Sequence, residues 1–200
     1  NKEIIDKIKE KEPNSEFLYI GTTNRMEKDI IPEKNIPYIG INVSGISRKL
    51  TLKNIKSVTN FLIGINKCKK EIKKFNPDIV IGAGGYVTAP VIIAAKKSGY
   101  KTLVHEQNSI LGLSNKILLK YTDTLCTSFE TMKVSNVKCV YTGNPASESI
   151  ITKKPYDKKE FGLSKSKKLV LIVMGSLGSS TVNEVLKDSL TKFDSKYEVV

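Results

Sequence analysis

The chain has 200 residues, 40% hydrophobic and 26% charged, with a net charge of +13 from 33 basic and 20 acidic side chains. That composition belongs to a globular protein of one large or two small domains. It excludes a low-complexity tail, and one His with three scattered Cys excludes a multi-His metal site, a zinc ribbon and a disulfide framework. No apolar run reaches the roughly 18 to 20 residues of a transmembrane helix, so any membrane contact is peripheral. The unpaired cysteines fit a reducing cytoplasm. The lysine excess reads either as solvated surface or as a face for an anionic partner.

In chain order, Ile4, Ile5 and Ile8 share one face of a helix that is already under way at Asn1. FLYIG (17–21) predicts a strand ending on glycine, followed by a helix from Arg25 to Ile31. IPYIGIN (36–42) is a second strand, and a long helix spans Lys53 to Phe75, closed by Asn76-Pro77. DIVIG (78–82), KTLVH (101–105), DTLCT (123–127) and KCVYTG (138–143) are further strands separated by helical segments. Strands alternating with helices imply a parallel, doubly wound α/β sheet, with ligands beyond the carboxyl ends of its strands. Residues 146–166 are polar and read as a connection. A new strand, glycine turn and helix begin at Lys167, as the start of a second Rossmann-like domain. KYEVV at the end reads as an incoming strand, so both ends look like cuts in a longer chain.

Two glycine turns follow strands: Gly82, Gly84 and Gly85 before Tyr86, and Gly175-Ser176-Leu177-Gly178. The first lacks the Gly-Lys-Ser/Thr of a P-loop. It also misses the third glycine position of a dinucleotide fingerprint, with Ala89 one place too far. By itself each turn is either a tight bend or an anion site. His105-Glu106-Gln107-Asn108 ends the KTLVH strand, where a site would sit. The adjacent acid and amides suit hydroxyl recognition, as on a sugar, better than redox chemistry.

GAGGYVTAP (82–90), HEQNSILGLSNK (105–116) and TGNP (142–145), in this order, resemble the bacterial peptidoglycan glycosyltransferases that add the second sugar of the cell-wall precursor. These are the undecaprenyldiphospho-muramoylpentapeptide N-acetylglucosaminyltransferases. Residues 20–46 and the VMGSLGSS loop (173–180) are similar to further segments of that family. The resemblance implies a GT-B fold of two Rossmann-like domains. Residues 1–145 would be the acceptor and membrane domain, short of its first strand and glycine loop; 146–166 a linker; 167–200 the start of the nucleotide-sugar domain.

It further implies an inverting transfer of N-acetylglucosamine from UDP-N-acetylglucosamine to a lipid-linked muramoyl-pentapeptide, with no cofactor or metal. The enzyme would sit peripherally on the cytoplasmic face of the cell membrane. Asn108 and Ser176 match donor-binding positions, and Ser147 stands where the family usually has an arginine. Leu177 and Ser180 likewise replace a usual Gln and Arg. Gly84, Gly85, Tyr86, His105, Glu106 and Gln107 fall in segments expected at the acceptor. The family's proposed base would lie upstream of Asn1, leaving this piece alone inactive.

Ile55, Val58, Phe61 and Leu62, with Lys53, Lys56 and Lys67 nearby, form a stripe on the long helix. It reads as a core face by pattern, or as a face for an anionic membrane given a lipid acceptor. Two alternatives to the enzyme remain open: a non-catalytic acceptor and membrane half of a split glycosyltransferase, and a related transferase acting on another glycolipid. Nucleic-acid binding has only charge in its favour, with no basic-aromatic interleaving or known module.

Overall fold

A computed structural model describes residues 2–44, 52–151, 153–173 and 179–200, without side-chain placement for 2, 52–56, 148 and 149. The chain separates into two compact units, Asn1–Ile151 and Thr152–Val200.

The first unit alternates helix and strand: α1 (Lys2–Lys11), β1 (Tyr19–Thr22), α2 (Glu27–Ile30), β2 (Tyr38–Ile41), α3 (Leu52–Phe75), β3 (Ile79–Gly82), α4 (Thr88–Lys97), β4 (Lys101–Glu106), α5 (Leu113–Leu118), β5 (Thr124–Thr127), β6 (Lys138–Tyr141) and α6 (Pro145–Ile151). All of its strand pairs are parallel. They form a two-stranded sheet, β1-β2, and a four-stranded sheet, β3-β4-β5-β6. The expected parallel α/β architecture is therefore present. The expectation of a single sheet is not met, because no pairing joins β1 to β3 among the described residues.

Packing centres on α4. Thr88, Pro90, Val91, Ile92, Ile93, Ala94 and Ala95 are all buried, so this helix is apolar around most of its circumference and is covered on several sides. Pro90 is accommodated in the first turn, where backbone N–H groups have no intrahelical acceptor. The core joins Ile92 and Ala94 to Val104 on β4, Leu125 on β5, and Cys68 and Ile72 on α3. Burial pushes the Cys68 thiol up to about 12, so it serves as a small apolar side chain. At its carboxyl end α3 closes on Asn76, which takes a left-handed conformation at φ 52°, before Pro77.

The apolar stripe on α3 divides in two. Phe61 is half-buried against the core with Ile65, in line with buried Cys68 and Ile72, a spacing of four, three and four that follows one helix face. Val58, Leu62 and Ile63 point away and are exposed. Phe61 therefore leaves the expected membrane face, for a geometric reason: at about 100° per residue, neighbours 61 and 62 cannot share a narrow face. Ile55, Lys53 and Lys56 lie outside the residues with described side chains. Lys67 donates from Nζ to the Gly40 carbonyl at 2.7 Å, tying α3 to β2. Phe61→Ser is expected to lower the melting temperature, by about 2 kcal/mol or more of stability for a large-to-small core change. Leu62→Ser should leave it within about 0.5 kcal/mol; thermal denaturation of the two variants checks the division.

The second unit contains β7 (Lys168–Val170), α7 (Ser180–Leu190) and β8 (Tyr197–Val199), with β7 and β8 parallel. Ser179 caps α7 by accepting from the Val182 N–H. The strand expected from Lys167 is shorter than its apolar run, ending at Val170. The segment expected as linker carries α6 and a 3-10 turn at Lys158–Phe161.

Candidate functional site at the strand ends

In the four-stranded sheet, the register sets Gly82 beside Val104, Glu106 beside Thr127, and Thr127 beside Tyr141. Parallel strands in this register deliver four loops to one end of the sheet, the end where open α/β sheets bind ligands.

The loop after β3 is built by its glycines. A Cβ on Gly82 would stand 2.3 Å from Thr88 Cγ2 and 3.1 Å from Ile92 Cγ1, so strand and helix meet there with no room for a side chain. Gly84 and Gly85 have a different requirement: both sit at φ 80°, with space around them. Thr88 Oγ1 donates back to the Gly84 carbonyl and closes the turn. Tyr86 follows, with the Arg25 guanidinium 5.2 Å from its ring centroid. Arg25 comes from the loop after β1, where Glu27 accepts from Thr22 N–H at 3.2 Å and from Thr22 Oγ1 at 2.7 Å. Arg25 was not singled out as a site residue in the sequence. Its place just beyond a strand end is the signal that could have found it.

The loop after β4 is organised by a buried carboxylate. Glu106, 2% exposed, accepts four hydrogen bonds. Oε1 takes Asn108 N–H at 3.0 Å and Asn108 Nδ2 at 2.9 Å. Oε2 takes Gly112 N–H at 2.9 Å and Asn115 Nδ2 at 2.8 Å. Burial acts to raise the Glu106 pKa, but hydrogen bonds from Gly112, Asn108 and Asn115 outweigh it and hold the carboxyl below its usual value. One charged group thus pins the whole turn from Asn108 to the start of α5. It also orients the exposed Asn108 amide, whose nitrogen is committed inward while Oδ1 has no hydrogen bond among the described residues.

His105 is 6% exposed, and its Nε2 lies 3.0 Å from the Gly143 carbonyl and 3.4 Å from Ser128 Oγ. A carbonyl only accepts, so Nε2 carries the proton in that contact. The ring therefore ties the end of β4 to the loops after β5 and β6. Gly143, at φ 71°, turns the chain, and Asn144 Oδ1 accepts from Ala146 N–H at the start of α6.

Among the expected site residues, the structure brings Gly84 and Gln107 together: Gln107 Nε2 is 3.9 Å from where a Gly84 Cβ would stand. Gln107 and Asn108 are exposed, and Tyr86 is half-buried. His105 and Glu106, expected at the acceptor, are both buried, with their polar atoms bonded to the loops around them. Ser147 lies on the exposed side of α6. Ser176 and Leu177 lie outside the described residues, and Ser180 begins α7. No cluster of three or more His, Cys, Asp or Glu that could hold a metal occurs among the described residues, and none of their helices is long and apolar enough to cross a membrane.

Comparison with known proteins places this geometry. A UDP-N-acetylglucosamine–N-acetylmuramyl-(pentapeptide) pyrophosphoryl-undecaprenol N-acetylglucosamine transferase of Bacillus subtilis is 46% identical over 187 residues, covering 92% of this chain and 52% of its own length. A protein of the same description from Bacillus thuringiensis is 44% identical over 201 residues, covering 98% of this chain and 55% of its own length. The chain thus spans about half the length of the curated relatives it matches. Among solved structures, MurG of Acinetobacter baumannii superposes with a TM-score of 0.65 at 26% identity, over 96% of this chain and 52% of that one. The family model for the glycosyltransferase family 28 N-terminal domain matches residues 3–127, from α1 to the end of β5 and so including both the glycine turn and the Glu106 hub, and the chain belongs to that family.

Proposed function

We propose that the longer protein containing these residues transfers N-acetylglucosamine from UDP-N-acetylglucosamine to a lipid-linked N-acetylmuramoyl-pentapeptide. The observation that carries this reading is the pairing of a glycine turn with an amide-bearing loop, at one sheet end, in a chain so similar to transferases of that description. In such a transfer, the acceptor hydroxyl attacks the anomeric carbon, its proton goes to a base, and UDP departs with the bonding electrons. Developing charge on the leaving diphosphate calls for fixed positive potential and N–H donors.

The residues divide naturally between these tasks. Gly84, Gly85, Tyr86 and Gln107 line the acceptor side, where bare backbone and Arg25 meet an acidic diphosphate-linked substrate. Asn108 presents Oδ1 to a donor hydroxyl, fixed by Glu106 behind it. Ser176, outside the described residues, matches a donor-binding serine of the family, and Ser147 on α6 stands where the family usually has an arginine, an uncharged group in place of a cation. In the complete protein, Asn108→Ala is expected to raise the KM for UDP-N-acetylglucosamine by up to about tenfold, the value of one hydrogen bond. Unchanged donor kinetics in folded Asn108→Ala protein would remove the assignment.

A polyprenyl-linked acceptor brings the protein to a membrane surface. The exposed Val58, Leu62 and Ile63 on α3 supply an apolar patch, and the net charge of +13 supplies attraction to anionic lipid. Binding should be peripheral, on the cytoplasmic leaflet where the soluble donor is available. Sedimentation with vesicles of anionic lipid should therefore weaken as salt rises, since charge is screened over about 8 Å at physiological ionic strength. Leu62→Ser should weaken it further at fixed salt. Equal binding to neutral vesicles, or binding indifferent to Leu62→Ser, would place the membrane face elsewhere.

A further inference from the structure

Past the end of β1, the loop leading to α2 carries the Arg25 guanidinium to the turn after β3, where it lies 5.2 Å from the Tyr86 ring centroid. Arg25 is exposed, and its guanidinium makes no hydrogen bond or ion pair among the described residues. Stacking on a ring occupies the face of a guanidinium. It leaves the N–H groups on the edge, a fork that matches two oxygens of one phosphate. The nearest acid along the chain does not consume that fork. Glu27 turns to Thr22 instead, accepting its N–H at 3.2 Å and its Oγ1 at 2.7 Å. Burial pushes the Glu27 carboxyl up, but hydrogen bonds outweigh it and hold the group below its usual value, the Arg25 charge adding least. The bond from residue 27 back to residue 22 also closes the short loop that bears Arg25.

The groups facing the cation suit an anion. Tyr86 directly follows Gly84 and Gly85, and no atom lies within 4 Å of where a Gly85 Cβ would stand. Gln107 Nε2, a further N–H donor, reaches to 3.9 Å from the Gly84 Cβ position. Glu106, the acid of the adjoining loop, is buried with both oxygens already bonded. An unpaired cation and an amide donor thus border open space over bare backbone.

We propose that Arg25 is a specificity-determining residue that takes one phosphate of a prenyl-linked diphosphate, so that the site prefers a diphosphate linkage to a monophosphate. Glu27 is the positioning residue behind it, acting by closing the loop onto Thr22. The inference rests on the acceptor reading above and deepens it, by naming the group that reads the linkage. The diphosphate of UDP-N-acetylglucosamine offers the same chemistry. Arg25 is assigned to the acceptor because it stacks on Tyr86, on the acceptor-side turn, rather than on the loop of Asn108.

The test measures binding by titration calorimetry to the protein expressed from the full reading frame. Binding is read without turnover, so failure here is distinguishable from failure to transfer N-acetylglucosamine. The probes are farnesyl diphosphate, farnesyl monophosphate and UDP. The parent is expected to bind the diphosphate roughly tenfold tighter than the monophosphate or better, the effect of one charged hydrogen bond. Arg25→Gln should abolish that preference while leaving UDP affinity and the melting temperature unchanged. Arg25→Lys, which keeps the charge and loses the fork, should fall between the two. Glu27→Ala should reduce the preference with the cation still present. A folded parent that shows no preference, or one retained in Arg25→Gln, would overturn the proposal. Weakened UDP binding in Arg25→Gln would give the cation to the donor and overturn it as well. So would equal loss of both prenyl probes with a lower melting temperature, which would make Arg25 a staple between two loops.

Discussion

Glu106→Ala should lower the stability of the first unit by several kcal/mol, since each buried donor left without its acceptor costs about 1 to 3 kcal/mol. Four donors lose their acceptor at once, and two of them belong to the backbone of the turn that carries Asn108. Glu106→Gln is the sharper variant, because it keeps the size of the side chain and one acceptor oxygen while placing an amide N–H₂ against other donors. It should retain the fold, unfold at lower denaturant concentration, and lose definition of the loop from 107 to 112. The pH dependence has a fixed sign. Hydrogen bonding holds the Glu106 carboxyl below its usual value in the folded protein. Its contribution is therefore complete above the unfolded carboxylate range, near pH 4.3, and is lost as pH falls through the lower folded value. The acid limb of the stability curve should flatten in Glu106→Gln. Denaturant titrations of both proteins from pH 7 downward measure this; parallel acid limbs would mean that the carboxylate is not the hub of the loop.

Gly82→Val is expected to be the other severe change. A bare Cβ would already press to 2.3 Å from Thr88 Cγ2 and 3.1 Å from Ile92 Cγ1, and valine adds two methyl groups to it. Overpacking of this kind typically takes about 1 to 3 kcal/mol, and here it would push α4 off β3, carrying the glycine turn with it. Gly84→Ala separates space from conformation. Nothing crowds that position, so its penalty is that of a left-handed L-residue, about 1 to 2 kcal/mol. The ordering Gly82→Val, then Gly84→Ala, in thermal denaturation distinguishes the two roles. Equal stabilities would show that strand and helix are not in close contact at the turn.

The strands were legible because each is a short apolar run bounded by polar or glycine residues; of the six described in the first unit, four lie within the segments read from the sequence, and β1 and β4 run one residue past theirs, to Thr22 and Glu106. The long helix was legible from its length and from Asn76-Pro77. What the sequence did not show is pairing: nothing in FLYIG or DIVIG reveals that β1 and β3 fall in separate sheets among the described residues, because register is a long-range property. The division of the α3 stripe was hidden for a related reason. Pattern alone marks which residues are apolar, whereas Phe61 and Leu62 are told apart only by what lies opposite each. In the string His105 to Asn108, the sequence did not show the division within it, where Glu106 is buried and holds the exposed Asn108. Arg25 went unnoticed because its partner, Tyr86, is far off in sequence and comes near only when the loops after β1 and β3 reach the same end.

The most direct test of the functional account is transfer of labelled N-acetylglucosamine from UDP-N-acetylglucosamine to a lipid-linked muramoyl-pentapeptide. The protein is that expressed from the full reading frame containing these 200 residues, assayed beside its Asn108→Ala variant. The account predicts a disaccharide-linked lipid product whose formation depends on both substrates, with the variant impaired at low donor and approaching the parent rate at saturating donor. Absence of transfer from the folded full-length protein, or transfer to the acceptor from a different nucleotide sugar in preference, would contradict it.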